Sequence, residues 1–177
     1  MKIVDVSVLI LSVALPIGIG FLGSLVGNGG NSEWYKQLKK PPWTPPNWAF
    51  PVVWTILYAL MGIAAWRVWI HAGFERQSIA LGIYLFQLLL NFLWTPLFFG
   101  LHSLSAALAD IVLLWFAIAA TIYLFWHIDA MASYLLVPYI LWVTLASTLN
   151  LYIWIHYDAK NTLHGIRSPT EQHPKSS

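Results

Sequence analysis

Five apolar runs, near residues 6–27, 51–70, 79–100, 104–126 and 134–157, dictate most of what this chain can become. Each is long enough to cross a bilayer, whose hydrocarbon core of ~30 Å takes about 20 helical residues. Only 9% of the residues are charged and 59% are hydrophobic, whereas a soluble domain carries about 25% charged residues. The expected fold is an all-α integral membrane bundle of five transmembrane helices occupying residues 1–157. The tail 158–177 is polar, contains Pro169 and Pro174, and is expected to be disordered.

The connections near 71–78, 101–103 and 127–133 are short, so sequential helices should be antiparallel neighbours. Residues 28–50 form the one long internal loop and begin with the flexible run Asn28-Gly29-Gly30-Asn31-Ser32. Pro16, Pro96 and Pro138 fall inside spans, where each removes a helical hydrogen bond and favours a kink unless neighbours compensate. Lys2 ahead of the first run and the small residues Gly18 and Gly20 imitate a secretory signal, but the run continues past an h-region of about 7–15 residues. The first helix is expected to be retained. Its Gly18-x-Gly20-x-x-Gly23 spells a dinucleotide fingerprint without the strand that motif requires. The better reading is small residues letting helices approach closely, as for Gly23 and Gly27. Lys36, Lys39, Lys40, Lys160, Arg167 and Lys175 lie on one face, against Lys2, Arg67 and Arg76 on the other. Positive charge prefers the cytoplasm, so the long loop and C-terminus are expected there and the N-terminus outside. No inverted repeat of the kind found in secondary transporters is visible.

Polar and aromatic residues at membrane depth carry the functional signal. Asp110 lies about two turns into the fourth run; a carboxylate there is expected to face the bundle interior and to be paired, protonated or wet. Asn91 and Asn150 could lock helices together or grip the polar edge of an apolar ligand. Trp54 and Tyr58 share a helix face, as do Trp142 and the small Ala146, and Trp94 stands one turn from Asn91. Taken singly, each ring could be core or lipid-facing. Together, aromatic walls, one small residue and a few amides suit a flat, largely apolar molecule such as a sterol or a tetrapyrrole. Trp66, Trp69, Trp126 and Trp154 lie near span ends and read as interfacial anchors.

Other chemistry finds no support. Cysteine is absent, which excludes disulfides and thiolate metal sites. The six histidines show no metal-ligand spacing, so no metal site and no cofactor are expected. A net charge of +2 gives no footprint for nucleic acid.

The stretch from Trp34 to Gly62 holds five prolines and four tryptophans. Pro41, Pro42, Pro45 and Pro46 stiffen it and withdraw backbone donors, so a non-helical cover is expected before Pro51. Trp34, Trp43 and Trp48 suit either a membrane interface or the roof of a cavity. The arrangement Trp34-Tyr35-x-x-Leu38-x-Lys40-Pro41-x-Trp43-x-Pro45-Pro46-x-Trp48-x-Phe50-Pro51-x-Val53-Trp54-x-x-Leu57-Tyr58-x-x-Met61-Gly62 resembles the translocator protein family, the tryptophan-rich sensory proteins or TspO/MBR. The likeness continues in Asn91 to Gly100, in Asp110 and from Trp142 through Ala146 to Asn150, covering about residues 6 to 157. It implies a five-helix bundle whose first long loop covers a cavity that binds porphyrins such as protoporphyrin IX, sterols such as cholesterol, and benzodiazepine-site drugs. The implied ligand-binding residues are Tyr35, Trp54, Tyr58, Asn91, Trp94, Trp142 and Ala146. Roles in porphyrin sensing or handling, or in transport of porphyrin or lipid, follow from the same likeness. Some bacterial members degrade protoporphyrin IX in light, an activity associated with tryptophans matching Trp54 and Trp142. Leu151 and Ile155 stand where animal members carry a cholesterol motif. A homodimer is implied too, although Phe86 interrupts the glycine pair begun by Gly82.

Overall fold

The computed structural model describes the backbone of residues 3–26 and 33–166, and the side chains of residues 4–25, 33–71 and 77–157. The helices are α1 (Ile3–Val26), α2 (Glu33–Gln37), α3 (Ala49–Thr95), α4 (Leu104–Trp126) and α5 (Ala130–Ile166). Among the described residues five segments are long and apolar enough to span a membrane: Val4–Leu25, Ala49–His71, Gln77–Gly100, Leu104–Trp126 and Ala130–Tyr157. The protein is therefore a multi-pass integral membrane protein with an all-α bundle.

Two of those spans belong to α3, which doubles back on itself. The Tyr58 hydroxyl lies 2.8 Å from Asn91 Oδ1, whereas 33 residues of straight helix would separate them by ~50 Å. The backbone is helical from Ala49 to Thr95, so the short connection expected at 71–78 is helix rather than loop, lying between the span that ends at His71 and the one that begins at Gln77, the two limbs of α3. α5 begins earlier than expected because Asp129 caps it, its carboxylate accepting the Met131 N–H at 3.2 Å. α5 also continues beyond 157, so the tail starts as helix. Residues 27–32 and 167–177, which include the expected glycine turn, Gly27 and the end of the tail, lie outside the described residues.

Cross-helix contacts fix the arrangement. Trp66 Nε1 donates to the Asp5 carbonyl at 3.0 Å, Gly62 meets the backbone at Ser12 and Val13, and Gly20 meets Tyr58. α1 thus runs antiparallel to the first limb of α3. A Cβ at Gly62 would stand 2.5 Å from the Ser12 carbonyl oxygen, so only glycine admits α1 at this distance. Likewise Ser133 Oγ donates to the Ile122 carbonyl, Trp115 Nε1 to Thr144 Oγ1 and Asn150 Nδ2 to the Leu104 carbonyl, setting α4 and α5 antiparallel. α5 also faces both limbs of α3: Arg67 forms a bidentate ion pair with Asp129 at one end, and Trp94 bonds Asn150 toward the other.

Because lipid is as apolar as leucine, close packing and interhelical hydrogen bonds hold such a bundle together. Met61, Ala64, Val68, Ile118, Phe125 and Val143 are fully buried at its centre. Pro16 and Pro138 lie within α1 and α5. At Pro96 the missing N–H is followed by a π-helical turn, Pro96–Gly100, in which Leu101 N–H donates to the Pro96 carbonyl at 2.8 Å. The wider turn carries Phe98 and Phe99 toward the loop that precedes α3.

Candidate functional site

That loop is built by its prolines. Thr44 N–H and Oγ1 both donate to the Pro41 carbonyl, and Ala49 N–H donates to Pro46, making two successive turns. Pro51 then falls in the first turn of α3, where a missing N–H costs nothing. Before the turns, α2 presents Trp34 and Tyr35 to the π-helical segment. Trp34 stacks on His102 with centroids 4.1 Å apart and meets Phe98 edge-on; Tyr35 lies 5.3 Å from Phe99. His102 has φ 52°, a left-handed conformation that histidine tolerates better than most residues. Lys40 Nζ sits 4.0 Å over the Tyr35 ring. Burial pushes the Tyr35 hydroxyl above and the Lys40 ammonium below their ordinary pKa values. Trp43 packs on Tyr152, while Trp48 is 69% exposed. Of the three tryptophans, Trp34 belongs to the roof and Trp48 to the surface.

Below the roof the expected residues fall into adjoining groups. Trp54 and Tyr58 stack at 5.4 Å, 28° apart, four residues apart on one helix face. The Tyr58 hydroxyl donates to Asn91 Oδ1 at 2.8 Å, Asn91 Nδ2 donates to the Tyr139 hydroxyl at 3.1 Å, and Tyr139 donates to Gln87 Oε1 at 2.8 Å. This chain joins both limbs of α3 to α5. Trp94 stacks on Phe98 at 4.9 Å and donates to Asn150 Oδ1 at 3.1 Å, linking the roof to the interior. Trp142 lies 5.6 Å from Phe50, and its indole nitrogen is buried without a hydrogen-bond partner among the described residues. Ala146, one turn along α5, packs against the same core.

Gln87, Tyr139, Phe50 and Phe98 complete these groups but are not among the ligand-binding residues expected from the sequence, although Phe50 and Phe98 fall within the stretches that carry the family resemblance. Gln87 had a signal: it is an amide four residues before Asn91 in an apolar run. Asp110 is 8% exposed on α4, and its Oδ2 has no hydrogen-bond partner among the described residues. Among these residues no group of histidine, aspartate and glutamate is arranged to hold a metal ion. Trp66 and Trp154, expected as interfacial anchors, also pack inward: Trp66 clamps α1, and Trp154 joins the cluster under the roof.

Chemically, the site offers indole and phenol faces with a directional line of hydrogen bonds along one edge. Its rings pack on one another, so a macrocycle would have to part the roof from the rings beneath. A separate open groove of about 300 Å³ lies on the outer surface between α1 and the second limb of α3, lined by Leu15, Ile19, Leu22, Leu85, Leu88, Leu89 and Phe92. With only apolar side chains in its lining it suits hydrocarbon.

Residues 12–155 match the model of the TspO/MBR family. "Protein CrtK" of Rhodobacter capsulatus is 44% identical over 137 residues, 76% of this chain and 83% of that protein. The "Tryptophan-rich sensory protein" of Cereibacter sphaeroides is 48% identical over 118 residues, 67% of this chain and 73% of that protein. The "Translocator protein" of Homo sapiens is 39% identical over 136 residues, 76% of this chain and 80% of that protein.

Proposed function

The chain belongs to the TspO/MBR family, and from that premise we propose that it is a membrane receptor that binds a porphyrin between its roof and its aromatic core, in a sensory or tetrapyrrole-handling role. The observation that supports this most is the Trp54–Tyr58 stack bonded through Asn91 to Tyr139. It joins an apolar face to a line of polar groups, the combination that a flat ring with carboxylate edges requires. Trp94 and Trp142 supply further walls, Ala146 leaves room beside Trp142, and Tyr35 belongs to the roof. The names of the relatives, sensory protein and translocator, accord with such a role. The lysines of the loop favour a cytoplasmic roof and C-terminus and an external N-terminus.

Titrating purified protein with protoporphyrin IX tests the reading. Saturable quenching of tryptophan fluorescence, weakened in Trp142→Ala and Asn91→Leu, is the expected result. Non-saturable quenching that is the same in both variants would refute it. A transport reading draws on Asp110, a buried carboxylate without an ion pair among the described residues. Intramembrane carboxylates often mark substrate or proton paths. That reading requires vectorial porphyrin uptake by proteoliposomes, abolished in Asp110→Asn.

A further inference from the structure

α1 is held to the bundle unevenly along its length. In the half away from the roof, the Asp5 carbonyl accepts the Trp66 indole N–H at 3.0 Å, and the backbone at Ser12 and Val13 lies directly against Gly62. The half toward the roof has no such tie. Between Ile17 and Leu25 the one polar side chain is Ser24, and its hydroxyl turns back to the Phe21 carbonyl of its own helix at 2.7 Å. Among the described residues, this half meets α3 through apolar packing alone: Ile19 against the core, Gly20 against the Tyr58 ring and Gly23 against the Thr95 side chain. Only 11% of the most apolar stretch of α1 is buried, against 28% to 39% in the other four spans, which makes it the least embedded helix of the bundle.

Pro16 lies where the two halves meet. Having no N–H, it leaves the Ser12 carbonyl without its helical donor, and its ring crowds the preceding turn, so α1 bends more easily there than elsewhere. The open groove marks where the roof half already stands off from the second limb of α3. Three of its lining residues are each next in sequence to one that forms or covers the candidate site: Ile19 to Gly20, Leu88 to Gln87, and Phe92 to Asn91. The Tyr58–Asn91 hydrogen bond is thus one layer of side chains behind a surface that faces hydrocarbon. A ligand entering through the roof has to part Trp34 from His102 and Phe98, and Tyr35 from Phe99. Swinging the roof half of α1 outward breaks no hydrogen bond among the described residues, and the lipid that fills the gap is as apolar as the leucines it meets.

We infer that the roof half of α1, pivoting at Pro16, is a lateral gate through which an apolar ligand dissolved in the bilayer reaches Tyr58 and Asn91. The gate presupposes the porphyrin site proposed above and gives it a route of entry, from the hydrocarbon rather than from the water above the roof. A disulfide can lock it. A Cβ at Gly23 would lie 3.7 Å from Thr95 Cβ, inside the range of about 3.5–4.5 Å that a disulfide spans, and the chain has no cysteine of its own to compete. Gly23→Cys combined with Thr95→Cys is reconstituted in liposomes, closure of the bridge is followed as loss of free thiol, and tryptophan quenching is recorded after protoporphyrin IX is added. Oxidation should slow the approach to equilibrium on the order of tenfold and leave the saturation midpoint unchanged, and reductant should restore the rate. An oxidised protein that binds as fast as the reduced one overturns the gate alone, whereas absence of saturable quenching in the wild type overturns the site with it. If the thiols do not pair, Pro16→Ala decides. With an N–H returned to the Ser12 carbonyl the pivot stiffens, and the same step should slow by about twofold or more at an unchanged midpoint; an unaltered rate refutes the gate.

Discussion

Replacing Gly20 with alanine puts a single methyl group into the hinge between α1 and the candidate site. A Cβ at Gly20 would lie 2.1 Å from Tyr58 Cε2 and 2.8 Å from Cδ2 and Cζ. Carbon atoms settle at about 3.5–4.0 Å, so the ring has to retreat by more than about 1 Å. It cannot retreat freely. Trp54 stacks on it, and its hydroxyl is held by Asn91 at 2.8 Å. Overpacking of this kind costs about 1–3 kcal/mol, and the interhelical hydrogen bond adds about 0.6 kcal/mol. Against this, alanine is favoured over glycine inside a helix by roughly 0.5–1 kcal/mol. The net loss of about 1–3 kcal/mol corresponds to a Tm lower by ~2–12 °C for a chain of this size. Thermal unfolding in detergent, followed by circular dichroism, measures it. The paired test is Gly20→Ala in a Tyr58→Leu background, where the ring is gone and the substitution should be neutral or stabilising. An unchanged Tm in Gly20→Ala, or the same loss with and without the Tyr58 ring, would refute the packing argument.

Gly62→Ala should be more damaging than Gly20→Ala, because the added Cβ meets the backbone at Ser12 and Val13 rather than a side chain. Gly82→Ala, with nothing within 4 Å, should be neutral or slightly stabilising in the same assay. The Arg67 hydrogen bonds hold the Asp129 carboxyl below its ordinary pKa. Their stabilisation is therefore complete above about pH 3.9 and lost as pH falls through the depressed folded value. Asp129→Asn should accordingly lower the Tm at neutral pH, and its gap from wild type should close in acid; a constant gap from pH 7 to 3 would contradict this. If the protein breaks down porphyrin in light, illumination with protoporphyrin IX should bleach it faster than in protein-free detergent. Trp54→Phe combined with Trp142→Phe should remove the excess while retaining much of the binding. Equal bleaching in all three samples would mean ordinary photochemistry.

What the sequence made legible was local. Spans could be placed because hydrocarbon thickness sets a length, and Trp54 could be paired with Tyr58 because a separation of four residues fixes a shared helix face. The partner across the interface could not be read this way. Asn91 needed an acceptor for its amide and a donor for its oxygen, but nothing in the local pattern says that Tyr139, 48 residues on, and Tyr58, 33 residues back, supply them. Those pairings depend on the register between helices, which is set at places the pattern treats as neutral: Gly62, where α1 touches backbone, and Asp129, whose carboxylate both starts α5 and grips Arg67. The loop shows the same division. Its prolines announced a stiff cover, yet the roof itself is the short α2 just before them, because Trp34 and Tyr35 could reach Phe98, Phe99 and His102 only once Pro96 had opened a π-helical turn. The candidate site thus rests on backbone irregularities and close glycine contacts outside it. If the site binds porphyrin as proposed, substitutions at Gly20, Gly62 and Pro96 should therefore weaken the saturable quenching by protoporphyrin IX as strongly as many changes to the aromatic rings themselves.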